Sequence, residues 1–289
     1  MFSVLTFNAA LLDIRVMNYP LHSPVPDAEL RLQHIIEELE SLAADVVILQ
    51  EVFHYRHQLR IAMELAHQYP YTAGMAPRPF FRLGTEFLVL SRFPATDGRH
   101  VRFNQAAREE RIFTSKGFYH CRINLPGAGE IDCINFHTTA GGIHAHPEHD
   151  SMEKIRADQV NQILDYAASL EMVLLAGDLN AGPHTSQQNY NQVLDSGFVD
   201  TFPGINVEVY TWDPENPLVA SGIEHHLPAQ RIDHIFMNTR LAEKIQPQSS
   251  CVVLKQKIRG KSGASIALSD HYGLITQYAL RRSPASASR

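Results

Sequence analysis

Polar residues with catalytic chemistry stand at the ends of apolar runs at several places in this sequence. Asn8 closes FSVLTFN, Glu51 follows DVVILQ, His137 closes IDCINFH, and Asp178 and Asn180 follow EMVLLAG in GDLNAGP. Asp270 and His271 sit together in LSDHYG, and Asp233 is an acid inside the otherwise apolar RIDHIF. Taken singly, an Asp or Asn after a strand is a turn or cap residue, and a lone His is a hydrogen-bonded core residue. Residues at strand ends of an α/β sheet, however, converge on one rim. Gathered there, these side chains supply the hard oxygen donors Mg²⁺ prefers and imidazoles that move protons near neutral pH. The chemistry they predict is metal-assisted hydrolysis. No cysteine belongs to the set and neither HExxH nor CxxC occurs, so a structural zinc site has no support. A GxxxxGK[ST] phosphate loop and a GxSxG elbow are also missing from the sequence.

The elements that must position these residues are legible as apolar runs of strand length. They are FSVLTFN at 2–8, DVVILQ at 45–50, EFLVLS at 86–91, IDCINF at 131–136, EMVLLAG at 171–177, RIDHIFM at 231–237 and SSCVVLK at 249–255. Helical spacing appears in DAELRLQHIIEELESLA, through Leu32, Ile35, Ile36 and Leu39, and a further helix is expected over 56–67. Another is expected from Asp150, with Asp150 as cap, Glu153 completing a capping box, and Ile155, Val160, Ile163 and Leu164 on its apolar stripe. Strands covered by helices and joined by irregular loops predict a four-layer α/β sandwich, two packed mixed β-sheets flanked by helices. Without a linker or composition shift, residues 1–280 read as one catalytic domain and 281–289, RRSPASASR, as a flexible polar tail.

Composition narrows the function classes. The 289 residues carry 25 Lys+Arg against 31 Asp+Glu, a formal net charge of −6, and are 44% hydrophobic. That balance opposes a nucleic-acid-coating role, because phosphate neutralisation by Lys and Arg supplies most nonspecific affinity. No apolar run reaches the ~18–20 residues of a membrane-spanning helix, and MFSVLTFNAALL lacks a basic region before its apolar stretch. The expectation is a chain with no transmembrane segment or signal peptide, cytoplasmic or peripheral at membranes, with secretion by a route lacking a signal peptide left open. Cys121, Cys133 and Cys251 form no CxxC pair and read as reduced thiols. Cys121 and Cys133 fall on two strands expected to pair around a Gly/Pro turn.

Read in order, FN at 7–8, LQE at 49–51, NFH at 135–137, GDLN at 177–180, RIDHIF at 231–236 and SDH at 269–271 resemble the signature of the endonuclease/exonuclease/phosphatase superfamily. The resemblance covers nearly the whole chain. FLVLSRFP at 87–94 and SKGFYHCRI at 115–123 agree with it. Within the superfamily the chain is most similar to the neutral sphingomyelinase branch, through KGFYH, NFH followed by TTA, the downstream Arg156 and Gln159, and YTWDPENPL at 210–218. It departs from that branch at Phe136-His137-Thr138, where Thr-His-Leu is usual, and in the Gly- and His-rich GGIHAHPEH that follows. Both departures bear on substrate rather than on the hydrolytic core.

The resemblance implies a DNase-like fold and a Mg²⁺-dependent phosphodiesterase, with Mn²⁺ or Co²⁺ able to substitute, working by in-line attack of an activated water. It implies Glu51 as direct metal ligand, with Asn8 beside it and Asp270 close to the same metal region, one or two ions being compatible with the carboxylates. His271 would be the general base and Asp233 the carboxylate fixing its tautomer. Asp178 would orient the water or share proton transfer, Asn180 would donate to the phosphoryl oxygens, and His137 would stabilise the transition state or protonate the leaving alkoxide. The implied substrate is a phosphodiester, a lipid at a membrane surface releasing phosphocholine. The alternatives are a nuclease or an inositol-phosphate phosphatase of the same superfamily, the latter without its Trp-then-acid and Cys-Asp-Arg segments here, and, remotely, a noncatalytic scaffold.

Four aromatics are candidate substrate contacts. Trp212 and Tyr210 would either meet a quaternary ammonium by cation–π attraction or be buried at a strand end. Phe80 and Phe81, flanked by Arg78 and Arg82, would either touch lipid or pack in the core. His144, His146 and His149 in one loop and His225 and His226 in another read either as a second metal site or as solvated loop residues.

Overall fold

Strands covered on both faces must be apolar almost throughout, and the runs identified above, apart from SSCVVLK on a partly exposed edge strand, meet that demand by forming the middle of two stacked sheets. A computed structural model describes residues 1–12, 14–16, 19–22, 25–75, 85–108, 110, 115–141, 149–202, 209–222 and 225–281. In chain order the elements begin with β1 (Phe2–Asn8), β2 (Ile14–Val16), β3 (Tyr19–His22), α1 (Ala28–Leu42), β4 (Val46–Gln50), α2 (Tyr55–Glu64), β5 (Tyr71–Ala73) and β6 (Leu88–Ser91). There follow β7 (Ala95–Arg102), β8 (Gly117–Leu125), β9 (Gly129–His137), α3 (His149–Ala167), β10 (Val173–Asp178), α4 (Gln187–Asp195) and β11 (Phe198–Asp200). The last are α5 (Pro217–Ala220), β12 (Asp233–Asn238), α6 (Thr239–Ala242), β13 (Ile245–Val253), β14 (Lys257–Arg259), β15 (Ser265–Ala267) and β16 (Gly273–Leu280).

One sheet has the strand order β13-β16-β1-β4-β6-β5 and the other β11-β12-β10-β9-β8-β7. Alternation of side chains sorts each strand's residues between two cores. Val4, Val46 and Ile48 of the first sheet meet Cys121, Ile123, Cys133, Leu174 and Ile235 of the second. Leu5, Phe7, Val47 and Leu49 point the other way, under Leu32, Ile35, Ile36 and Leu39 of α1. Ile134, Phe136, Val173 and Leu175 lie likewise under Val160 and Ile163 of α3 and Tyr190 and Val193 of α4. These are the four layers expected: helices, sheet, sheet, helices.

Two local expectations are corrected. Helix α3 begins at His149, so Asp150 sits inside its first turn, where a carboxylate favours the positive end of the helix dipole, instead of capping it. Asp233 is the first residue of β12, not an interior one. Cys121 and Cys133 stand directly opposite in the β8–β9 pair as free, buried thiols. Most of the expected tail, 282–289, lies outside the described residues. No helix among the described residues is long and apolar enough to cross a membrane.

Strand direction explains the rim. Strands β1 and β4 run parallel, as do β9 and β10, so their C-terminal residues Asn8, Gln50, His137 and Asp178 finish at one edge of the sandwich. The neighbours β6, β8, β12 and β16 run antiparallel to these, so their N-terminal approaches, carrying Glu86, Lys116, Asp233 and His271, reach the same edge. Just beneath it the sheets are tied: Gln50 Nε2 donates to Asn135 Oδ1 at 2.8 Å, and Asn135 Nδ2 donates to the Leu49 carbonyl at 2.9 Å. Gly177, next to Asp178, allows β10 to close on β9, since a Cβ there would lie 1.9 Å from the Phe136 carbonyl oxygen.

Candidate active site

The two histidines of the rim are built alike. His271 Nδ1 lies 2.9 Å from Asp233 Oδ2, and His137 Nδ1 lies 2.8 Å from Glu86 Oε2, each a charge-assisted hydrogen bond that fixes the ring. The opposite nitrogens converge on one atom: Asp178 Oδ2 is 3.7 Å from His271 Nε2 and 3.5 Å from His137 Nε2. Both rings, Asp178, Asp233 and Glu86 are buried.

Burial works to strip protons from the imidazoles, but the carboxylates outweigh it. Asp233 and Asp178 hold the His271 pKa well above its ordinary value, and Glu86, against the opposing charge of Lys116, holds that of His137 up as well. The acids divide in response. Burial raises carboxyl pKa values, yet His271 and His137 hold Asp178 below the usual range, while Asp233, facing Asp178, stays above it.

Glu51 and Asn180 both have left-handed backbone, at φ 58° and 49°. Asn adopts this conformation readily; for Glu it costs roughly 1–2 kcal/mol, strain of the kind found at functional sites. The Glu51 side chain remains 24% exposed. Burial, with the like charges of Asp270 and Glu86, raises its pKa despite His137 and Lys116. Asn8 stands between two acids, its Nδ2 donating to Glu51 Oε1 at 3.2 Å and to Asp178 Oδ2 at 3.1 Å, while its Oδ1 accepts the Ala10 N–H. The Asn8 oxygen, with a second lone pair, and the carboxylates of Glu51 and Asp270 are the oxygen donors on this side of the rim. Five carboxyls, of Glu51, Glu86, Asp178, Asp233 and Asp270, face one lysine, Lys116, and two imidazoles. This excess of negative charge and oxygen donors fits a hard divalent ion. Asp178, Asp233 and His271 also place ligand atoms within 4.8 Å of one another, although His271 Nδ1 and Asp233 already bond each other.

Further residues support the rim, and of these Ser269, Asn216, Thr211 and Arg31 had no role assigned from sequence. Ser269 Oγ donates to the Asn8 carbonyl at 2.7 Å and accepts the His271 N–H at 3.2 Å, joining the metal side to the base. Asn216 Nδ2 donates to the Ser269 carbonyl, and Thr211 Oγ1 accepts the N–H of both Ile232 and Asp233. Buried Arg31 gathers the carbonyls of Ala9, Ala10 and Leu268, binding the segment after Asn8 to the one before Asp270. Arg156 and Gln159 of α3 clasp the strand exit beyond His137: Arg156 donates to the Thr139 and Gly141 carbonyls, and Gln159 Oε1 accepts the Thr139 N–H. Asn180 Nδ2 and Lys116 Nζ both donate to the Thr138 carbonyl.

The candidate substrate contacts fare differently. Trp212 is 6% exposed, packed with Val219, Leu227 and Ile232 and paired through its backbone with Gln230 and His271, so it forms a wall behind the base. Tyr210 is half-buried nearby. Phe80, Phe81, His144 and His146 lie outside the described residues. His225 and His226 are exposed, and no metal-holding group of three among the described residues includes them or His149.

Comparison with known proteins agrees with this geometry. Sphingomyelinase C 2 of Leptospira interrogans is 24% identical over 253 residues, covering 79% of this chain; the chain spans only 39% of that relative's length. Beta toxin of Staphylococcus aureus, in a structure with bound magnesium ions, superposes with a TM-score of 0.77 at 19% identity, over 95% of this chain and 98% of that one. Sphingomyelinase C from Streptomyces griseocarneus gives 0.74 at 21% identity, again over 95% and 98%. The sequence profile described as Endonuclease/Exonuclease/phosphatase family matches residues 5–271, a span that takes in every candidate site residue above. The chain belongs to that family.

Proposed function

We propose that this protein is a Mg²⁺-dependent phosphodiesterase of sphingomyelinase type, cleaving a phospholipid at a membrane surface to release phosphocholine. The observation that carries the reading is the paired imidazoles. Hydrolysis of a diester needs a base for the attacking water and an acid for an alkoxide that leaves poorly unprotonated. His271 and His137, each held by its own carboxylate and both aimed at Asp178, supply the two. The likeness to sphingomyelinases supports the lipid substrate, and the net charge of −6 weighs against a polyanionic one.

In this mechanism, Glu51 and Asp270 would hold a divalent ion, which would supply Lewis-acid stabilisation of the developing negative charge. In its neutral form His271 accepts a proton from water at Nε2, Asp233 keeping the acceptor nitrogen turned to the site. The water oxygen bonds to phosphorus as the bond to the ester oxygen breaks in line. His137 Nε2 delivers its proton to that leaving oxygen. Asp178 orients the water between the two rings, and the Asn180 amide, turned from the Thr138 carbonyl, donates to a phosphoryl oxygen. The products are a phosphomonoester and an alcohol.

The test is phosphocholine release from sphingomyelin vesicles with and without Mg²⁺, beside single- and double-stranded DNA and an inositol phosphate. Metal-dependent release from the lipid alone is expected. DNA cleavage without lipid turnover would move the protein to the nuclease members of the family, and loss of phosphate from the inositol ester to the phosphatases.

A further inference from the structure

Behind the rim, on the face of the second sheet turned to α3 and α4, lies a buried polar cluster that the mechanism does not use. Side chains alternate along β12, so Asp233 faces the site while His234 faces α4, its ring stacked on Phe236 at 5.0 Å between centroids and tilted against Tyr190 at 5.1 Å. Arg231 NH1 donates to Asp200 Oδ2 at 2.6 Å, Tyr190 Oη donates to the same oxygen at 2.8 Å, and Arg231 NH1 lies 3.1 Å from His234 Nδ1. Nδ1 also lies 3.3 Å from Asp200 Oδ2 and so has a donor and an acceptor beside it, whereas Nε2 faces only an acceptor and carries a hydrogen whichever form the ring takes. His234 Nε2 accordingly donates to the Ala181 carbonyl at 2.9 Å.

Ala181 directly follows Asn180 in the turn that leaves β10. Two further contacts press this turn onto the start of β12. The Leu179 N–H donates to the Ile232 carbonyl at 2.9 Å, and Gly182 sits so close that a Cβ would lie 1.9 Å from the Arg231 carbonyl oxygen. The acids on the front of these two strands, Asp178 and Asp233, are partners at the end of the β10–β12 ladder and both face His271.

We propose that His234 is a positioning residue: through its hydrogen bond to the Ala181 carbonyl it fixes the Asp178–Asn180 turn against Asp233, and so sets the geometry of the His271 base. The role rests on the reading of Asp178 and Asn180 as groups that meet the water and the phosphoryl oxygens. His234 touches neither substrate nor reacting atoms. What it supplies is one N–H at one place, and its partners Arg231 and Asp200 hold the ring that presents it.

This makes amide substitutions informative. A Gln side chain at 234 reaches as far as Nε2 and can donate to the Ala181 carbonyl; an Asn side chain reaches only as far as Nδ1 and cannot. The experiment compares His234→Gln, His234→Asn and His234→Ala with Leu39→Ala, a buried change in α1 far from the cluster that lowers stability alone. Turnover is measured on sphingomyelin vesicles and on bis(p-nitrophenyl) phosphate with saturating Mg²⁺, and amide hydrogen exchange is followed over residues 178–186. We expect the Ala and Asn variants to lose about 10- to 100-fold in kcat with KM within about twofold, the scale of other orienting contacts, and to exchange faster in that turn. Gln should restore both, while Leu39→Ala should lower Tm without changing kcat.

Equal turnover in the Gln and Asn variants, unchanged exchange in 178–186, or a kcat loss that only tracks Tm as in Leu39→Ala would overturn the proposal. Should the parent hydrolyse neither diester, the functional reading fails, and the exchange comparison decides the clamp by itself.

Discussion

The proposed metal side of this site and its proposed proton-transfer side are built on different plans. Asn8, Glu51 and Asp270 all come from the first sheet, at the ends of β1 and β4 and ahead of β16. Each histidine pair instead bridges the sheets: His137 of the second with Glu86 of the first, and His271 of the first with Asp233 of the second. The metal side also keeps a partly open carboxylate held under like-charge repulsion, whereas the histidine pairs are buried and already bonded. The difference teaches that one half is completed from outside, by a cation, and the other is finished when the sheets pack. On the proposed reading, folding alone preorganises the acid and base, and metal binding is left as the variable step.

The strongest way to break the finished half is to remove its base. His271→Ala should lower kcat by about 10²- to 10⁴-fold in a steady-state assay at saturating Mg²⁺, with circular dichroism unchanged. Next is the support behind it. Burial would raise the Asp200 pKa, but the hydrogen bond and charge of His234 and the charge of Arg231 hold it far below the usual range. A depressed carboxyl pKa stabilises the fold above the unfolded value of about 4 and loses that contribution as pH falls through the folded one. Asp200→Asn should therefore cost about 3–5 kcal/mol in urea unfolding at pH 7, the scale for breaking a buried pair, and the gap from wild type should shrink below pH 4.

A cavity between the sheets sharpens the contrast. Leu174 is buried in the inter-sheet core, and Leu174→Ala should cost about 2–5 kcal/mol of stability. Because the dyads span that core and the metal ligands do not, kcat should fall while the Mg²⁺ concentration for half-maximal activity stays put. Glu51→Gln should do the reverse, raising that concentration by about 10- to 100-fold. It should also leave the Tm of metal-free protein unchanged or higher. The reason is one of sign: a carboxyl whose folded pKa is raised contributes stability that is lost as pH rises through that value, so at neutral pH its charge opposes folding.

The same comparison separates what the sequence made legible from what it did not. Asn8, Glu51, His137 and Asp178 each end a strand, and an apolar run followed by a polar residue is visible to the eye. Glu86 and Lys116 come before their strands. They reach the rim only because β6 and β8 run antiparallel to β4 and β9, and direction is not written in an apolar run. Asp233 was visible as a misplaced acid, although its place at the strand start was not. Ser269, Asn216 and Thr211 act through single hydrogen bonds to backbone, a role their residue types share with any turn. For Trp212 the sequence left a cation–π contact and burial at a strand end both open, and its burial against Val219, Leu227 and Ile232 depends on contacts that its neighbours in sequence do not announce. The layered fold was the most legible part, since periods of two and near four follow directly from which faces are covered.

The account stands on a water, activated at His271, attacking phosphorus in a metal-dependent reaction. Turnover of sphingomyelin vesicles in H₂¹⁸O, with Mg²⁺ and with chelator, followed by mass spectrometry of both products, tests this most directly. The account predicts one ¹⁸O in the phosphocholine, none in the released alcohol, and no turnover under chelation or in His271→Ala. Label in the alcohol, or undiminished release without a divalent ion, would contradict it.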